Sequence, residues 1–371
     1  MSRFRFELAT PADDADLRRI TASTPMRGRI SVSFQREPSW FAAAVVDGCF
    51  RQVVACRDLE SGRLVGFGCR SIRRVYVNGH LADIGYLSGL RLLPEYRNHG
   101  LIARGYALFR QLHQDGRAPY YLTTIAEGND SALNILTSGR AGLPAYHFVG
   151  RYQTIAVALP RRTTPRAIPS GTTLRAASID DLPAVLELLN AEGPRRQFFP
   201  FYDRHHFLCA DGALRGFGLE RMLLAWRGSR LCGLLGDWDQ HSYRQSIVES
   251  YGGWVRWLRP AYNGWQRLNG LPGLPPSGQA IRCLTTVFPL VVENDAELFV
   301  SLLGELIRRC TGGNSSHLLI GLYETDPLLS VARRFQAASY TTLVYLVGWP
   351  DSDSRRAALD QRPLYLELGT L

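Results

Sequence analysis

Apolar and polar positions along the chain alternate between a period of two and a period near 3.6. Residues 3 to 8 set Phe4, Phe6 and Leu8 against Arg3, Arg5 and Glu7, which predicts a half-buried strand. Thr10 followed by Asp13, Asp14 and Asp16 predicts a capped helix from about Pro11 to Ile20. A poorly patterned stretch, Thr21 to Asp47, comes next. Strands over Gln52 to Asp58 and Leu64 to Val75 then meet at a glycine turn and predict a hairpin. A further strand from His80 to Leu92, a helix from Gly100 to Gln114, a strand from Tyr120 to Ala126 and a short helix from Asn129 to Thr137 complete the run. A hairpin upstream of strand–helix pairs predicts an α/β fold whose mixed, mostly antiparallel twisted sheet is flanked by helices.

The pattern occurs twice. Pro160 to Thr173, rich in Pro, Thr and Arg, reads as a linker, and beyond it Leu174 with Asp180, Asp181 and Leu182 repeats the strand and capped helix. The turn Ser61-Gly62-Arg63-Leu64 returns as Gly228-Ser229-Arg230-Leu231, about 167 residues on. Farther along, Leu92 to Pro94 match Val287 to Pro289 at an offset of about 195, and Ile125 to Glu127 match Leu322 to Glu324 at about 197. The growing offset implies an insertion at about 242–279, which holds Trp254, Trp257 and Trp265. The expected organisation is a first unit over 1–159, a linker over 160–173 and a second, altered unit over 174–371.

The 371 residues suit two units at roughly 150 residues per domain, and no apolar run approaches a membrane span, so no integral membrane association is expected. The N-terminus does not resemble a secretory signal, which places the expected location in the cytoplasm. All 43 basic residues are arginine and the net charge is +10, yet no block of five or more arginines appears, and nucleic acid is not an expected partner. Seven cysteines without a close pair read as free thiols, and no spacing suggests a metal site. For the Trp-rich insertion, core packing, a dimer surface and a membrane surface remain open, the last because Arg256 and Arg259 accompany the tryptophans.

Chemistry concentrates in Leu87 to Leu112, where an apolar strand meets Pro94, a polar turn with Gly100 and then an amphipathic helix. The first amides of a helix lack internal partners and lie at its positive end, so such a junction can receive a phosphate. Pro94-Glu95-Tyr96-Arg97-Asn98-His99-Gly100 resembles the fingerprint of the GNAT acyltransferase superfamily, a strand followed by Arg/Gln-x-x-Gly-x-Gly/Ala at the start of a helix. The resemblance implies acetyl-CoA or another acyl-CoA as co-substrate, with no metal. It assigns the pyrophosphate to Arg97, Asn98, His99, Gly100, Leu101 and Ile102, and the pantetheine arm to Leu90, Arg91 and Leu92. Asn129 and Ala132 match the asparagine and small residue that the family places beneath that arm. Ile102 departs from the fingerprint, and in the second unit Glu293, Asn294 and Asp295 stand where arginine and glycine would be. Carboxylates there repel a phosphate, so a second coenzyme site is not expected.

N-acyl transfer, most simply N-acetyl transfer, to a small-molecule or peptide amine is the activity the resemblance implies. A base candidate is Asp83, on the strand leading to the motif, or Glu127, at the end of the next strand. Tyr86 falls where some family members carry a catalytic glutamate. The family's tyrosine acid, seven residues after the asparagine, is replaced by Leu136, and Tyr146 is the remaining candidate. A non-catalytic coenzyme A sensor is the alternative. A degenerate second unit fits either a substrate cleft or structural support, with a homodimer also open.

Overall fold

The segments of the first half form close to where their patterns place them in a computed structural model, which describes residues 2–97, 99–140, 142–164, 166–209, 212–349 and 358–371. They are β1 (Phe4–Leu8), α1 (Asp14–Ser23), β2 (Ile30–Gln35), α2 (Trp40–Ala43), β3 (Phe50–Asp58), β4 (Leu64–Val77), β5 (His80–Leu92), α3 (Leu101–His113), β6 (Tyr121–Ala126), α4 (Asp130–Leu136) and β7 (Ala145–Ala158). The second half begins with β8 (Thr172–Ala176), α5 (Leu182–Glu192), α6 (Arg204–Leu208), β9 (Met222–Arg227) and β10 (Arg230–Trp238). The insertion carries β11 (Gln245–Tyr251) and α7 (Gly253–Leu268), and then come β12 (Ala280–Ile281), β13 (Cys283–Val291), α8 (Ala296–Cys310), β14 (His317–Tyr323), α9 (Leu329–Arg333) and β15 (Ala338–Gly348). No helix of the described residues is long and apolar enough to cross a membrane.

Twelve strands form one mixed sheet in the order β1, β3, β4, β5, β6, β15, β7, β14, β13, β10, β9, β8. The halves run inward from opposite edges and exchange their last strands at the centre. β15 of the second half pairs with β6 of the first, β7 of the first pairs with β14 of the second, and β7 and β15 pair with each other from Ala338↔Ala156 to Gly348↔Ala145. Among the described residues, β7 therefore has no ladder partner from its own half. A second link is a three-stranded sheet in which β2, from the stretch without clear pattern, pairs with β11 of the insertion. Its edge position, dependent on a strand more than 200 residues away, explains why the sequence pattern there is weak.

Register corrects one internal match. β5 and β13 carry the same bulge: Gly89 and Leu90 together oppose Gly68, and Phe288 and Pro289 together oppose Leu235. Since Gly66 pairs with Leu92 and Gly233 with Val291, the counterpart of Leu92 is Val291 and not Val287. The loop from strand to helix, residues 93–100 in the first half and 292–295 in the second, is four residues shorter in the second. The match of Leu92–Pro94 to Val287–Pro289 followed the helix side of the junction and missed this deletion.

Helices cover both faces of the sheet. In the first half α3 and α4 pack on one face through Leu87, Tyr106, Phe109, Tyr121, Ile125 and Leu136, and α1 and α2 pack on the other through Leu17, Ile20, Trp40 and Phe67. Each such side chain contributes about 1.5–3 kcal/mol by leaving water. Arg70, fully buried on β4, ties the sheet to the end of α3: its guanidinium donates to both carboxylate oxygens of Asp115 (2.8 and 2.7 Å), to Gln52 and to the Tyr121 hydroxyl. Removing Asp115 would strand that charge without its carboxylate.

Candidate functional site

β5 and β6 are parallel neighbours at only two positions, Gly85↔Tyr121 and Tyr86↔Leu122. Just beyond, the Thr123 hydroxyl donates to the Leu87 carbonyl at 2.7 Å, and past that bond β5 has β4 on one side and, among the described residues, no strand on the other. The bulge lies in this open edge. Gly89 adopts φ 63°, a left-handed value that favours glycine, and it is exposed. Leu90 then turns toward the α3 cluster, while Arg91 lies near Cys69 and Arg36 on the opposite face. An edge with unpaired backbone groups, at the mouth between two diverging strands, can hydrogen-bond an extended amide-bearing ligand.

At the end of the loop Gly100 sits in the left-handed region (φ 66°, ψ 12°), and no atom of the described residues lies within 4 Å of where a Cβ would stand. The N-cap residue, Gly100, has no side chain with which to cap α3, and among the described residues the first helical bond runs from the Arg104 amide to the Gly100 carbonyl at 3.4 Å. Among the described residues no acceptor is seen for the first-turn amides, which can therefore receive an external one. Arg97 and His99 are exposed, and His99 Nδ1 lies 2.9 Å from the Arg97 carbonyl. Leu101 is buried, and Ile102 packs against the core beneath α3. Asn98 lies outside the described residues. Asn129 caps α4, its side chain accepting from the Ala132 amide at 3.4 Å. Leu136, where the resemblance places an acid, is 6% exposed and part of the core.

The candidate catalytic side chains separate onto different faces. Tyr86 is buried opposite α3, with its hydroxyl 2.9 Å from that of Thr124 and the Arg73 guanidinium 4.3 Å from its ring centre; burial raises its pKa although Arg73 works against the rise. Asp83, three residues earlier on a regular strand, faces the other way and pairs with Arg74 at 3.0 Å. Tyr146 meets the Tyr106 hydroxyl at 2.5 Å on the α3 side, and burial raises both phenols, that of Tyr106 to about 12. Glu127 is half-exposed and pairs with Arg151 at 3.1 Å; the Arg151 amide donates to Glu324, the counterpart of Glu127. Among the described residues no three His, Cys, Asp or Glu side chains converge as a metal site would require.

Around Tyr86 the fold assembles a cationic cluster that sequence pattern does not single out. Arg36 donates to both oxygens of Asp47 (2.8 and 3.2 Å), Arg244 donates to the same carboxylate, and Arg73 donates to the Asp47 carbonyl at 2.8 Å. Arg73 also bonds Thr370, and Arg244 bonds the carbonyls of Gly369 and Leu371, both at 3.1 Å. Burial favours the neutral acid at Asp47, yet Arg36 and Arg244 outweigh it and hold the group below its usual range. Burial lowers Arg73, Arg244 and Arg91, and among the described residues the buried Nε atoms of Arg91 and Arg244 have no hydrogen-bond partner. Two guanidiniums, those of Arg36 and Arg244, share the Asp47 carboxylate, and that of Arg73 bonds the backbone carbonyl of the same residue. The cluster draws its arginines from the Thr21–Asp47 stretch, β4 and the start of the insertion, and acceptors from the C-terminal segment, so no local motif announces it; Arg73 shares β4 with Arg70 and Arg74, and nothing in the strand's pattern sets it apart.

In the second half the equivalent places are filled by the chain itself. Phe288, the bulge residue, has φ 54° and is fully buried, and its amide donates to Glu367 Oε2 at 3.2 Å. Asp295 caps α8, accepting from the Leu298 amide at 3.0 Å, and pairs with Arg227 at 2.7 Å. Glu293 and Asn294 take φ of 59° and 52° to close the shorter loop.

No family model matches the chain, and no curated protein matches it in sequence. Solved structures match it in shape. A GCN5-related N-acetyltransferase from Sphaerobacter thermophilus aligns over 93% of this chain and 96% of its own, with TM-score 0.57 and 14% identity. Saccharomyces cerevisiae N-myristoyltransferase with bound myristoyl-CoA aligns over 94% and 84%, with TM-score 0.60 and 11% identity. A GCN5-related glucosamine N-acetyltransferase region of a fungal multi-domain β-N-acetylglucosaminidase aligns over 93% of this chain and 38% of that one, with TM-score 0.57 and 12% identity. The alignments to the Sphaerobacter thermophilus and Saccharomyces cerevisiae structures span the two halves together, and with the splayed β5–β6 pair and the bulge they show that the chain has the GNAT fold.

Proposed function

We propose that the protein is an acyl-CoA-dependent N-acyltransferase with one coenzyme site, in the first half. The observation that carries this reading is the open β5 edge leading to the N-terminus of α3, where the N-cap is Gly100. In it, Arg97 and the first-turn amides of α3 hold the pyrophosphate, Ser88 to Leu92 hold the pantetheine arm, and Asn129 and Ala132 lie beneath it. The acceptor amine enters from the Tyr86 face. Its nitrogen attacks the thioester carbonyl carbon, the carbon–sulfur bond breaks, and sulfur leaves with a proton while the amine proton passes to water.

The arginine cluster supports a more specific acceptor. Guanidiniums disfavour a neighbouring ammonium and so keep more of the amine neutral and nucleophilic, while attracting an anionic group elsewhere on the same molecule. The acceptor class is therefore an amine that also bears a carboxylate or phosphate. Tyr86, kept protonated by burial, is the donor beside the reacting centre on this face. Burial of Leu136 at the expected acid position favours a second reading, a coenzyme A sensor without turnover.

Calorimetric titration of the full chain with acetyl-CoA and with longer acyl-CoAs, followed by thiol release over a panel of neutral and anionic amines, tests both. One equivalent bound and faster release with anionic amines is the expected result. Binding without release leaves the sensor, and no binding by any acyl-CoA overturns both readings.

A further inference from the structure

Helix α7 is inside out. Along its 16 residues the large apolar side chains face water: Trp254 is 58% exposed, Trp257 77%, Trp265 59% and Leu268 88%. With Leu258 and Ala261 they fall at spacings of three and four, one continuous stripe down the helix. The side turned to the protein is polar. Gln266 is the buried residue of the helix, Asn263 exchanges hydrogen bonds with Leu274 (2.9 and 2.8 Å), and Arg259 donates to the Pro275 carbonyl at 3.3 Å. These polar bonds anchor the helix to the returning segment and hold its apolar face outward.

We propose that α7 docks the protein on an anionic phospholipid surface. The charge around the stripe selects this occupant. Residues 253–268 contain Arg256, Arg259 and Arg267 and no carboxylate. Arg29 lies over the Trp254 ring at 5.6 Å and Arg256 over the Trp257 ring at 5.5 Å. Arg161, whose amide bonds the Gly270 carbonyl at 2.7 Å, brings a further exposed cation to the far end of the helix. Two copies meeting through this face would set arginine against arginine, whereas phosphate headgroups complement it. Tryptophan suits the position because its ring is apolar and its N–H finds partners at the headgroup level. A helix of 16 residues is about 24 Å long, enough to lie in the interface and too short and too charged to cross it.

Sedimentation of the full chain with vesicles of phosphatidylcholine alone, and with about one-third phosphatidylglycerol, tests the proposal. Binding to the mixed vesicles at least tenfold tighter than to the neutral ones is expected, with a blue shift of tryptophan fluorescence. Replacing Trp254, Trp257 and Trp265 together by Ala should remove binding to both. Arg256→Gln with Arg267→Gln should remove the preference for anionic vesicles and leave the residual binding. All five side chains are exposed, so far-UV circular dichroism and thermal unfolding should stay as in the parent chain. The proposal is overturned if the parent chain sediments with neither vesicle, if the tryptophan variant binds as well as the parent, or if the face instead forms a dimer that the tryptophan variant dissolves while vesicles are ignored.

Discussion

After its bulge, β5 runs through an eight-residue loop into a helix whose N-cap is the glycine Gly100, whereas β13 runs through four residues into a helix capped by the side chain of Asp295. The bulge residue is exposed Gly89 in the first half and buried Phe288 in the second. Both adopt positive φ, but a phenylalanine there costs on the order of 1–3 kcal/mol, held by the aromatic packing of Tyr202, Phe207 and Phe217 around its ring. One backbone plan thus serves two ends. Where glycine and a long loop leave backbone donors unsatisfied, a ligand can complete them; where a side chain, a buried glutamate and a capping aspartate complete them, the same plan becomes a core.

The largest test asks whether the two halves can be compared as separate bodies at all. In a fragment ending near Pro160, β7 loses both β14 and β15, and β6 loses β15, which exposes Tyr121, Leu122, Ile155 and Val157 at unpaired edges. Such edges aggregate. The fragment is expected to lack a cooperative thermal transition and to collect in large species on size exclusion. A soluble, monomeric, cooperatively unfolding fragment would show that the exchanged strands are dispensable and that the halves fold independently.

The exchange itself was hidden in the sequence for a physical reason. β7 and β15 have ordinary strand patterns, and alternation reports which face is buried but not which neighbour supplies the ladder. The strand–helix junction, by contrast, was legible because Pro94, Arg97 and Gly100 act locally, through backbone geometry and an unpaired helix end. The cationic cluster lies between these cases. Arg36, Asp47, Arg73 and Arg244 are scattered over more than 200 positions and meet only because β2 pairs with β11 and the C-terminal segment passes beneath Tyr86. The insertion showed its tryptophans in the sequence, yet only the structure reveals that its polar side, and not its apolar side, faces the protein.

A smaller effect is expected at the plug of the second half. Glu367 is buried and its pKa is pushed up to about 7; desolvation dominates over the Tyr365 hydroxyl at 2.7 Å and the Phe288 amide, and among the described residues Oε1 has no hydrogen-bond partner. A carboxyl whose folded pKa lies above its unfolded value binds its proton more tightly when folded, so stability is highest at low pH and falls as pH rises from about 4.5 through 7. The loss is bounded by about 3 kcal/mol. Glu367→Gln keeps the shape and removes the titration, so the fall in melting temperature between pH 5 and 8 should shrink in this variant. An equal fall in both proteins would assign the pH dependence to other groups.

The smallest expected effect bears most directly on function, because it asks whether the open junction and the closed one differ by charge or by shape. Gly100→Glu places a carboxylate among the first-turn amides of α3, and it should weaken acyl-CoA binding at least tenfold, or about 1.4 kcal/mol. There is room for the side chain, but φ of 66° adds strain to any L residue, so the loss alone is ambiguous. Gly100→Asn separates the causes, since asparagine tolerates the left-handed region and carries no charge. It should bind within a few-fold of the parent chain. The reciprocal change, Asp295→Asn, keeps a capping side chain and removes the negative charge from the second junction. With the loop still four residues shorter and Glu367 still on the Phe288 amide, calorimetry should again find one equivalent of acyl-CoA per chain. If Gly100→Asn proves as damaging as Gly100→Glu, backbone shape and not charge governs the first junction; if Asp295→Asn gains a second equivalent, a single carboxylate was all that kept the second one closed.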